Sequence, residues 1–192
     1  MCIRDRGQPF LLWIFLAAGF QGSVSISGME YGAWLFPGVI LLIALFASIF
    51  STISIIEDRT SGFLQGVLTS PASRLSILWS KMIFGTTMAL LQALLFMVLL
   101  PFSAVSLSFE GVLLSFLLLI AVGMVLTMLG FVIAWRMTST QGFHAVMMLL
   151  LIPSWMLSGA LFPIESAAGW MQTVIRFNPL YYITALFQQV FF

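Results

Sequence analysis

The residues that could carry chemistry are concentrated in one short stretch, 57–81, which we call the polar segment. Uncharged runs of 26 and 28 residues, 31–56 and 82–109, lie on either side of it. Acids and bases this close together favour ion pairs and contact with water or a water-soluble partner, because an unpaired charge is costly in apolar surroundings. We therefore predict that the polar segment is the surface through which a partner drives the rest of the chain. Five of the thirteen Asp, Glu, Lys and Arg residues lie in it: Glu57, Asp58, Arg59, Arg74 and Lys81.

Two other sites are weak candidates for catalysis or metal binding. His144 is the only histidine; it lacks the spaced companions of a zinc site, and we interpret it as an interface residue at a helix start. Ser158-Gly159 resembles part of a serine nucleophile motif, but Met156 stands where the nucleophile elbow requires glycine. No glycine-rich loop ending in Lys-Ser or Lys-Thr is present, so ATP hydrolysis by this chain is not expected. The sequence predicts a non-enzymatic protein with no cofactor of its own.

Composition identifies the kind of element that must hold the polar segment. The 192 residues are 61% hydrophobic and 7% charged, with a mean hydropathy of +1.15, whereas soluble domains carry about 25% charged residues. The net charge of +1 provides no basic surface for nucleic acid. We predict an integral membrane protein of the all-α class, a polytopic helix bundle in the lipid bilayer.

Five apolar segments are predicted to cross the bilayer wholly or in part, because a spanning helix needs about 20 apolar residues. Residues 164–179 are too short to span and too apolar for a free loop, which favours a re-entrant or interfacial helical element on the outer side. Residues 1–6 are interpreted as a non-native lead-in, with a signal peptide as the alternative, and 7–192 as one membrane domain. The five segments, of which the first is incomplete, are 9–20, 31–56, 82–100, 111–135 and 145–164.

The distribution of positive charge predicts the topology. Cytoplasmic loops of membrane proteins carry an excess of Lys and Arg. Six cations lie before the first segment, between the second and third, or between the fourth and fifth, which are all on one side if each segment spans once. The polar segment is therefore predicted to be cytoplasmic. The six are Arg4, Arg6, Arg59, Arg74, Lys81 and Arg136, and the opposite loops hold Glu30, Glu110, Glu165 and the exception, Arg176.

Small and hydroxyl residues recur at helical spacing inside two of the segments. Such residues let two helix backbones approach closely, so we predict helix packing, within the chain or in a dimer. A polar pathway is the alternative for the hydroxyl set in the second segment. Gln92, in the third segment, is predicted to make an interhelical hydrogen bond. The two sets are Ser48, Ser51 and Thr52 in the second segment and Gly123, Thr127, Gly130 and Ala134 in the fourth.

A short amphipathic helix is predicted within the polar segment. Thr60 or Ser61 can cap it, and a helix of about nine residues is marginal alone, so it must dock on something. A groove on a protein partner is favoured over the lipid interface, because mixed charges flank the apolar stripe rather than a Lys/Arg-rich face. Ser70-Pro71 is predicted to be the cap and first residue of the next helix. The stripe is formed by Phe63, Leu64, Val67 and Leu68.

Five local patterns occur in one order from about Gln8 to the end of the chain. In this combination the chain resembles the permease subunits of ABC type-2 exporters, a family that includes bacterial multidrug, polysaccharide and antibiotic-efflux permeases. The patterns are Phe36-Pro37-Gly38, Glu57-Asp58-Arg59-x-x-Gly62-Phe63-Leu64, Ser70-Pro71-x-Ser73-Arg74, Leu157-Ser158-Gly159-x-Leu161-Phe162-Pro163 and Asn178-Pro179-Leu180-Tyr181.

The resemblance implies six membrane helices per protomer in the bacterial inner membrane, and a dimer of identical or paralogous protomers. Two ABC ATP-binding subunits would bind the ATP and Mg²⁺. The expected helix before the first segment and the sixth span are missing, so we expect a fragment of a longer product. The coupling residues implied are Glu57, Asp58, Arg59, Gly62, Phe63, Leu64, Val67, Leu68, Pro71, Ser73 and Arg74. The outer re-entrant gate residues implied are Ser158, Gly159, Phe162, Pro163, Asn178 and Pro179.

On this basis we expect an export permease that moves a hydrophobic or amphipathic substrate out of the cytoplasm by alternating access, driven by ATP hydrolysis in a partner. Two other classes of function stay open. One is a secondary transporter or channel that works without a partner, and the other is a non-transporting assembly subunit of a membrane complex. The sequence does not specify the substrate.

Overall fold

The computed structural model describes residues 3–20, 25–26, 28–63, 66, 73–103, 105 and 107–192. Over these residues the protein is a bundle of α-helices, as its hydropathy predicts, with one short hairpin. The helices are α1 (Ile3–Gly19), α2 (Tyr31–Ser51), α3 (Ile53–Thr60), α4 (Arg74–Met97), α5 (Phe109–Arg136), α6 (Thr140–Met156), α7 (Gly169–Phe177) and α8 (Pro179–Phe191). Strands β1 (Ser25–Ile26) and β2 (Met29–Glu30) pair antiparallel before α2, and single 3₁₀ turns cover Leu100–Phe102 and Ile164–Ser166.

Three helical stretches among the described residues are long and apolar enough to cross a membrane: Tyr31–Thr60, Leu75–Met97 and Phe109–Arg136. At 1.5 Å per residue they measure about 45, 35 and 42 Å, against about 30 Å of hydrocarbon. The apolar part of α1, Pro9–Gly19, is shorter, and α6 has 17 residues. The chain is therefore a membrane-spanning helical protein, and three of the five predicted spans meet the length criterion.

Helix α2 is the axis of the bundle. Its most apolar stretch is 83% buried inside the protein, against 39% for α4 and 33% for α5. It packs against α1, α4, α5 and α8, and the Trp13 indole N–H of α1 donates to the carbonyl of Gly32 at 3.1 Å. A helix enclosed by its neighbours is apolar nearly all round, which explains why residues 31–56 carry no charged side chain.

Small residues bring α2, α4 and α5 into close contact, as predicted. A Cβ built on Gly85 of α4 would lie 2.5 Å from Ser51 Oγ and 2.6 Å from the Thr127 side chain. A Cβ on Gly130 of α5 would lie 3.0 Å from Thr52 Oγ1. The Ser51 and Thr52 hydroxyls donate to carbonyls of their own helix at 2.6 Å. The glycine stripe of α5 is therefore packed within the chain, against α2 and α4.

Two local predictions are wrong. Among the described residues the buried Nε2 of Gln92 has no hydrogen-bond partner, so the predicted interhelical hydrogen bond from this amide nitrogen is not formed there. The start of α4 is not Ser70-Pro71, a pair that lies outside the described residues: α4 begins at Arg74. Ser73 has the extended backbone of an N-cap, and its hydroxyl accepts from the Ser76 N–H at 3.2 Å.

Candidate functional site

The acid–base triplet of the polar segment lies at the end of the longest apolar helical stretch. Thr52 keeps helical backbone angles between α2 and α3 (φ −78°, ψ −8°), so the stretch continues to Thr60. The distance from Tyr31 to Arg59 is thus close to the full 40–45 Å of a bilayer with its headgroups. Successive helix positions differ by about 100° in direction, so Asp58 and Arg59 face different neighbours.

Asp58 joins α3 to α4. Its Oδ2 accepts from Lys81 Nζ at 2.7 Å, and the same ammonium group donates to Ser54 Oγ at 2.9 Å. The Lys81 and Asp58 side chains are 24% and 27% exposed. An ion pair with this access to water is worth about 1 kcal/mol or less, but it fixes where α4 sits beside the end of α3.

Arg59 joins α3 to α5. Its guanidinium donates from Nη1 to the Trp135 carbonyl at 2.6 Å and from Nη2 to the Met137 carbonyl. The last carbonyls of a helix have no partner within that helix, and they carry the negative end of its dipole. A planar, permanently charged fork suits two such acceptors. We call Asp58, Arg59, Lys81 and these two carbonyls the charged junction.

The remaining predicted coupling residues surround this junction. Gly62 ends α3 in the left-handed conformation (φ +77°), where glycine has no Cβ penalty. Phe63 itself has helical backbone geometry and is 64% exposed. Glu57 is exposed, Ser73 caps α4, and Arg74 is its first residue. Four predicted coupling residues lie outside the described residues: Leu64, Val67, Leu68 and Pro71. Phe63 is therefore the one member of the predicted apolar stripe that the structure describes.

His144 lies at the same end of the bundle. Ser139 caps α6 through a hydrogen bond from the Gly142 N–H to its hydroxyl at 3.3 Å, and His144 follows in the second turn. Its ring stacks on Phe50 of α2, with 4.5 Å between centroids and 17° between planes. His144 thus lies near the start of α6 and contacts α2, and its place at an interface stays a prediction.

At the opposite end of the bundle, the turn after α6 rests on α2. Gly159 has φ +79°, and the following residue, Ala160, is so close to Gly38 that a Cβ on Gly38 would lie 2.5 Å from its Cβ. The Trp155 indole N–H donates to the Gly38 carbonyl at 2.7 Å. The Tyr31 hydroxyl donates to the Leu161 carbonyl at 3.3 Å. The predicted Phe36-Pro37-Gly38 pattern is thus a docking point for this turn.

Asn178 holds two helix ends together at the same place. Its Oδ1 accepts from the Leu180 N–H at 3.0 Å and caps α8. Its Nδ2 donates to the carbonyls of Ser154 and Leu157, the latter at 3.0 Å, at the end of α6. Among the other predicted outer residues, Ser158 is buried and its hydroxyl donates to the Trp155 carbonyl, while Phe162 is half-buried. Pro163 is the N-cap of the second 3₁₀ turn, and Pro179 is the first residue of α8.

Sequence reasoning missed the partners of Arg59 and the anchoring role of Trp155. The acceptors of Arg59 are backbone carbonyls 76 and 78 residues away, and backbone groups carry no residue-type signal. Trp155 lies in an apolar segment where any tryptophan fits the hydropathy, so only its contact with Gly38 distinguishes it.

The family model described as "ABC-2 type transporter" matches residues 7–192. The putative transport permease ycf38 of Cyanophora paradoxa is 31% identical over 180 residues, which is 91% of this chain and 62% of that protein. The ycf38 protein of Porphyra purpurea is 28% identical over 181 residues, with the same two shares. The probable multidrug ABC transporter permease YbhR of Escherichia coli K12 is 24% identical over 165 residues, 85% of this chain and 45% of that protein. The chain thus spans less than two thirds of the length of these relatives, and no solved structure matches it.

Proposed function

The chain belongs to the ABC-2 type transporter family, and we propose that it forms the membrane-spanning part of an exporter driven by ATP hydrolysis in a separate ABC subunit. In this proposal the polar segment is cytoplasmic and contacts that subunit, which binds the ATP and Mg²⁺. A second permease protomer completes the complex in a bacterial inner membrane. The chain itself is a permease subunit and not an enzyme.

The observation that supports this proposal most is the charged junction. Helix α3 leads directly into the exposed turn at Phe63, and its last residues are joined to α4 through Asp58 and to α5 through Arg59. A displacement of Phe63 by a partner therefore reaches two neighbouring spans through short polar contacts. Such a linkage suits the transfer of motion from a soluble motor to membrane helices.

The substrate class is proposed from composition and from one relative's name. The Escherichia coli relative is named as a probable multidrug ABC transporter permease, which supports a hydrophobic or amphipathic substrate. The spans of this chain present mainly apolar side chains, so a pathway between protomers would suit such a molecule. Alternating access between two sides of the membrane is the mode of transport we propose.

Phe63→Asp tests the proposed contact with the ATPase. The full-length protein should be expressed with an ABC ATP-binding subunit from its own source, and the two purified together. We expect Phe63→Asp to lose most of the co-purifying ATPase while the permease stays monodisperse, because the carboxylate would be buried without a partner in an apolar groove. Phe109→Asp is the matched control, since Phe109 is 84% exposed at the far end of α5. Equal recovery of the ATPase with both variants would contradict the proposal.

Transport itself separates this function from the two alternatives. Proteoliposomes holding the permease and the ABC subunit should accumulate a fluorescent amphipathic dye only when ATP and Mg²⁺ are supplied. Accumulation without nucleotide would indicate a secondary transporter or channel. No accumulation, together with no effect of ATP on conformation, would indicate an assembly subunit.

A further inference from the structure

Four hydroxyl side chains lie where α2, α4 and α5 come together, and they differ in how they use their hydrogen-bonding groups. They are Ser48 and Ser51 of α2, Thr86 of α4 and Thr127 of α5, and each is at least nine-tenths buried. We call them the hydroxyl cluster. We propose that the hydroxyl cluster holds one bound water molecule between the three helices. This proposal is independent of the ATPase.

Two members of the cluster use their hydroxyl protons within their own helices. Ser51 donates to the Ser48 carbonyl at 2.6 Å, and Thr127 donates to the Gly123 carbonyl at 2.7 Å. A hydroxyl that donates in this way can still accept a hydrogen bond through its oxygen. Both oxygens face Gly85, where a Cβ would lie 2.5 Å from Ser51 Oγ and 2.6 Å from Thr127 Oγ1. The cluster therefore offers two acceptors, from two different helices, on the same side of α4.

The other two members, Ser48 and Thr86, do not turn back to their own helices. The buried Ser48 Oγ and Thr86 Oγ1 have no hydrogen-bond partner in the part of the chain that the structure describes. Both side chains face Gly123, where a Cβ would lie 3.6 Å from Ser48 Oγ and 3.2 Å from Thr86 Cγ2. Burying a hydroxyl without a hydrogen bond is unfavourable. Two such groups from different helices, beside one glycine, indicate that a molecule from outside the chain is their partner.

A water molecule fits these groups better than a cation does. Buried waters make about three hydrogen bonds to polar groups that otherwise have none. A water can accept from Ser48 and Thr86 and can donate to the oxygen of Ser51 or Thr127, so it uses both kinds of group. A cation in these surroundings needs a negative group to offset its charge, and the acid that follows in α3, Asp58, is already paired with Lys81 at 2.7 Å.

Polar contacts connect the hydroxyl cluster with an end of the bundle that water can reach. In the charged junction, Lys81 Nζ donates to Ser54 Oγ at 2.9 Å, and Ser54 Oγ donates to the Ser51 carbonyl at 3.1 Å. The Lys81 and Asp58 side chains of this junction are 24% and 27% exposed. Thr86 is about 7–8 Å further along α4 than Lys81. A water molecule at the charged junction is therefore about one and a half helical turns from the cluster.

Removing the two unpaired hydroxyls distinguishes a hydrated cluster from a dry one. Thr86→Val and Ser48→Ala each delete one hydroxyl with little change of shape. If a water bridges them, each change removes one of its hydrogen bonds, and Tm of the purified full-length protein should fall by about 2–6 °C. The double variant should fall little further, because the first change already releases the water. Thr184→Val is the control: its hydroxyl donates to the Leu180 carbonyl of its own helix, so its effect should add to that of Ser48→Ala.

A density map of the unmodified full-length protein locates the water directly, whether or not the variants fold. In an electron cryomicroscopy or crystal map that shows other ordered waters, we expect a peak within about 2.6–3.2 Å of both Ser48 Oγ and Thr86 Oγ1. The same map of Thr86→Val should lack that peak.

Three results would overturn the proposal. An unchanged or higher Tm in both single variants would mean that the hydroxyls are dry and unpaired, because exchanging such a group for an apolar one is neutral or stabilising. Additive effects of Ser48→Ala and Thr86→Val, or coupled effects without a peak in the map, would mean that the hydroxyls bond within the protein. A Tm that rises when sodium replaces choline at constant ionic strength would indicate a cation. No ABC subunit is needed, so failure here is distinguishable from failure of the proposed export function.

Discussion

Replacing Gly38 by alanine should separate the turn after α6 from α2. The new methyl carbon would lie 2.5 Å from Ala160 Cβ and 3.1 Å from Ala160 Cα, whereas carbon atoms in contact prefer about 3.5–4.0 Å. No rotamer change relieves this clash, because both atoms of Ala160 are fixed to its backbone. The turn must therefore move away by roughly 1 Å. That movement stretches the hydrogen bonds from Trp155 to Gly38 and from Tyr31 to Leu161, now 2.7 and 3.3 Å.

Three terms set the size of the effect. Overpacking of a tight contact costs about 1–3 kcal/mol, and weakening a buried hydrogen bond costs about 0.5–1.5 kcal/mol. Alanine regains about 1 kcal/mol over glycine inside a helix. The free energy of unfolding should therefore fall by about 1–3 kcal/mol. For a chain of this length each kcal/mol lowers Tm by about 2–4 °C, so the predicted fall in Tm is about 2–12 °C.

Thermal unfolding of the purified protein in detergent, followed by tryptophan fluorescence, measures this change. Gly169→Ala is the matched control: a Cβ there meets nothing within 4 Å, so Tm should not fall. Adding Ala160→Gly to Gly38→Ala removes the 2.5 Å contact but leaves the 3.1 Å contact, so about half of the loss should return. A Gly38→Ala protein as stable as the original, or one that Ala160→Gly does not rescue, would refute the reasoning.

Two further substitutions test the polar contacts at the two ends. Arg59→Lys keeps the charge but cannot bridge two carbonyls. We therefore expect a free energy of unfolding about 1 kcal/mol lower and weaker stimulation of a co-purified ATPase. Arg176→Lys is the control, and equal ATPase stimulation in both variants would argue against the charged junction as a linkage. Asn178→Asp keeps the acceptor that caps α8 but loses both donations to α6 and brings a negative charge to a helix C-terminus. It should lower the free energy of unfolding by about 1–3 kcal/mol, more than Asn178→Ser does, and an unchanged Tm would contradict the role assigned to Nδ2.

The helical class and the long spans could be predicted because they depend on the length of the apolar runs, which can be read directly from the residue types. The packing of α2, α4 and α5 was also predictable, since glycine and hydroxyl residues at helical spacing have few other roles inside a membrane. These predictions depend on residues close together in the chain. They need no knowledge of which helices are neighbours.

The hydrogen bonds that connect different helices were not predictable, because they depend on which helices are neighbours. Arg59 and Asn178 act on backbone carbonyls of other helices, and every residue has such a carbonyl. The start of α4 was misplaced because Ser70 and Ser73 are both suitable caps, and only the backbone angles at Ser73 decide between them. The interhelical hydrogen bond predicted for Gln92 depends on which side chains of other helices lie beside it, and its buried Nε2 finds no partner among the described residues.

The central position of α2 also decides how this protein responds to the thickness of its bilayer. Helices in contact with lipid tilt when the hydrocarbon layer becomes thinner or thicker. Lipid can reach α4 and α5 but scarcely α2, which its neighbours enclose. Helices α4 and α5 must then change their tilt relative to α2, and the close contacts at Gly85 and Gly130 are the points about which they rotate. Since Asp58 and Arg59 are joined to those same two helices, acyl-chain length in the host membrane should tune the geometry of the charged junction.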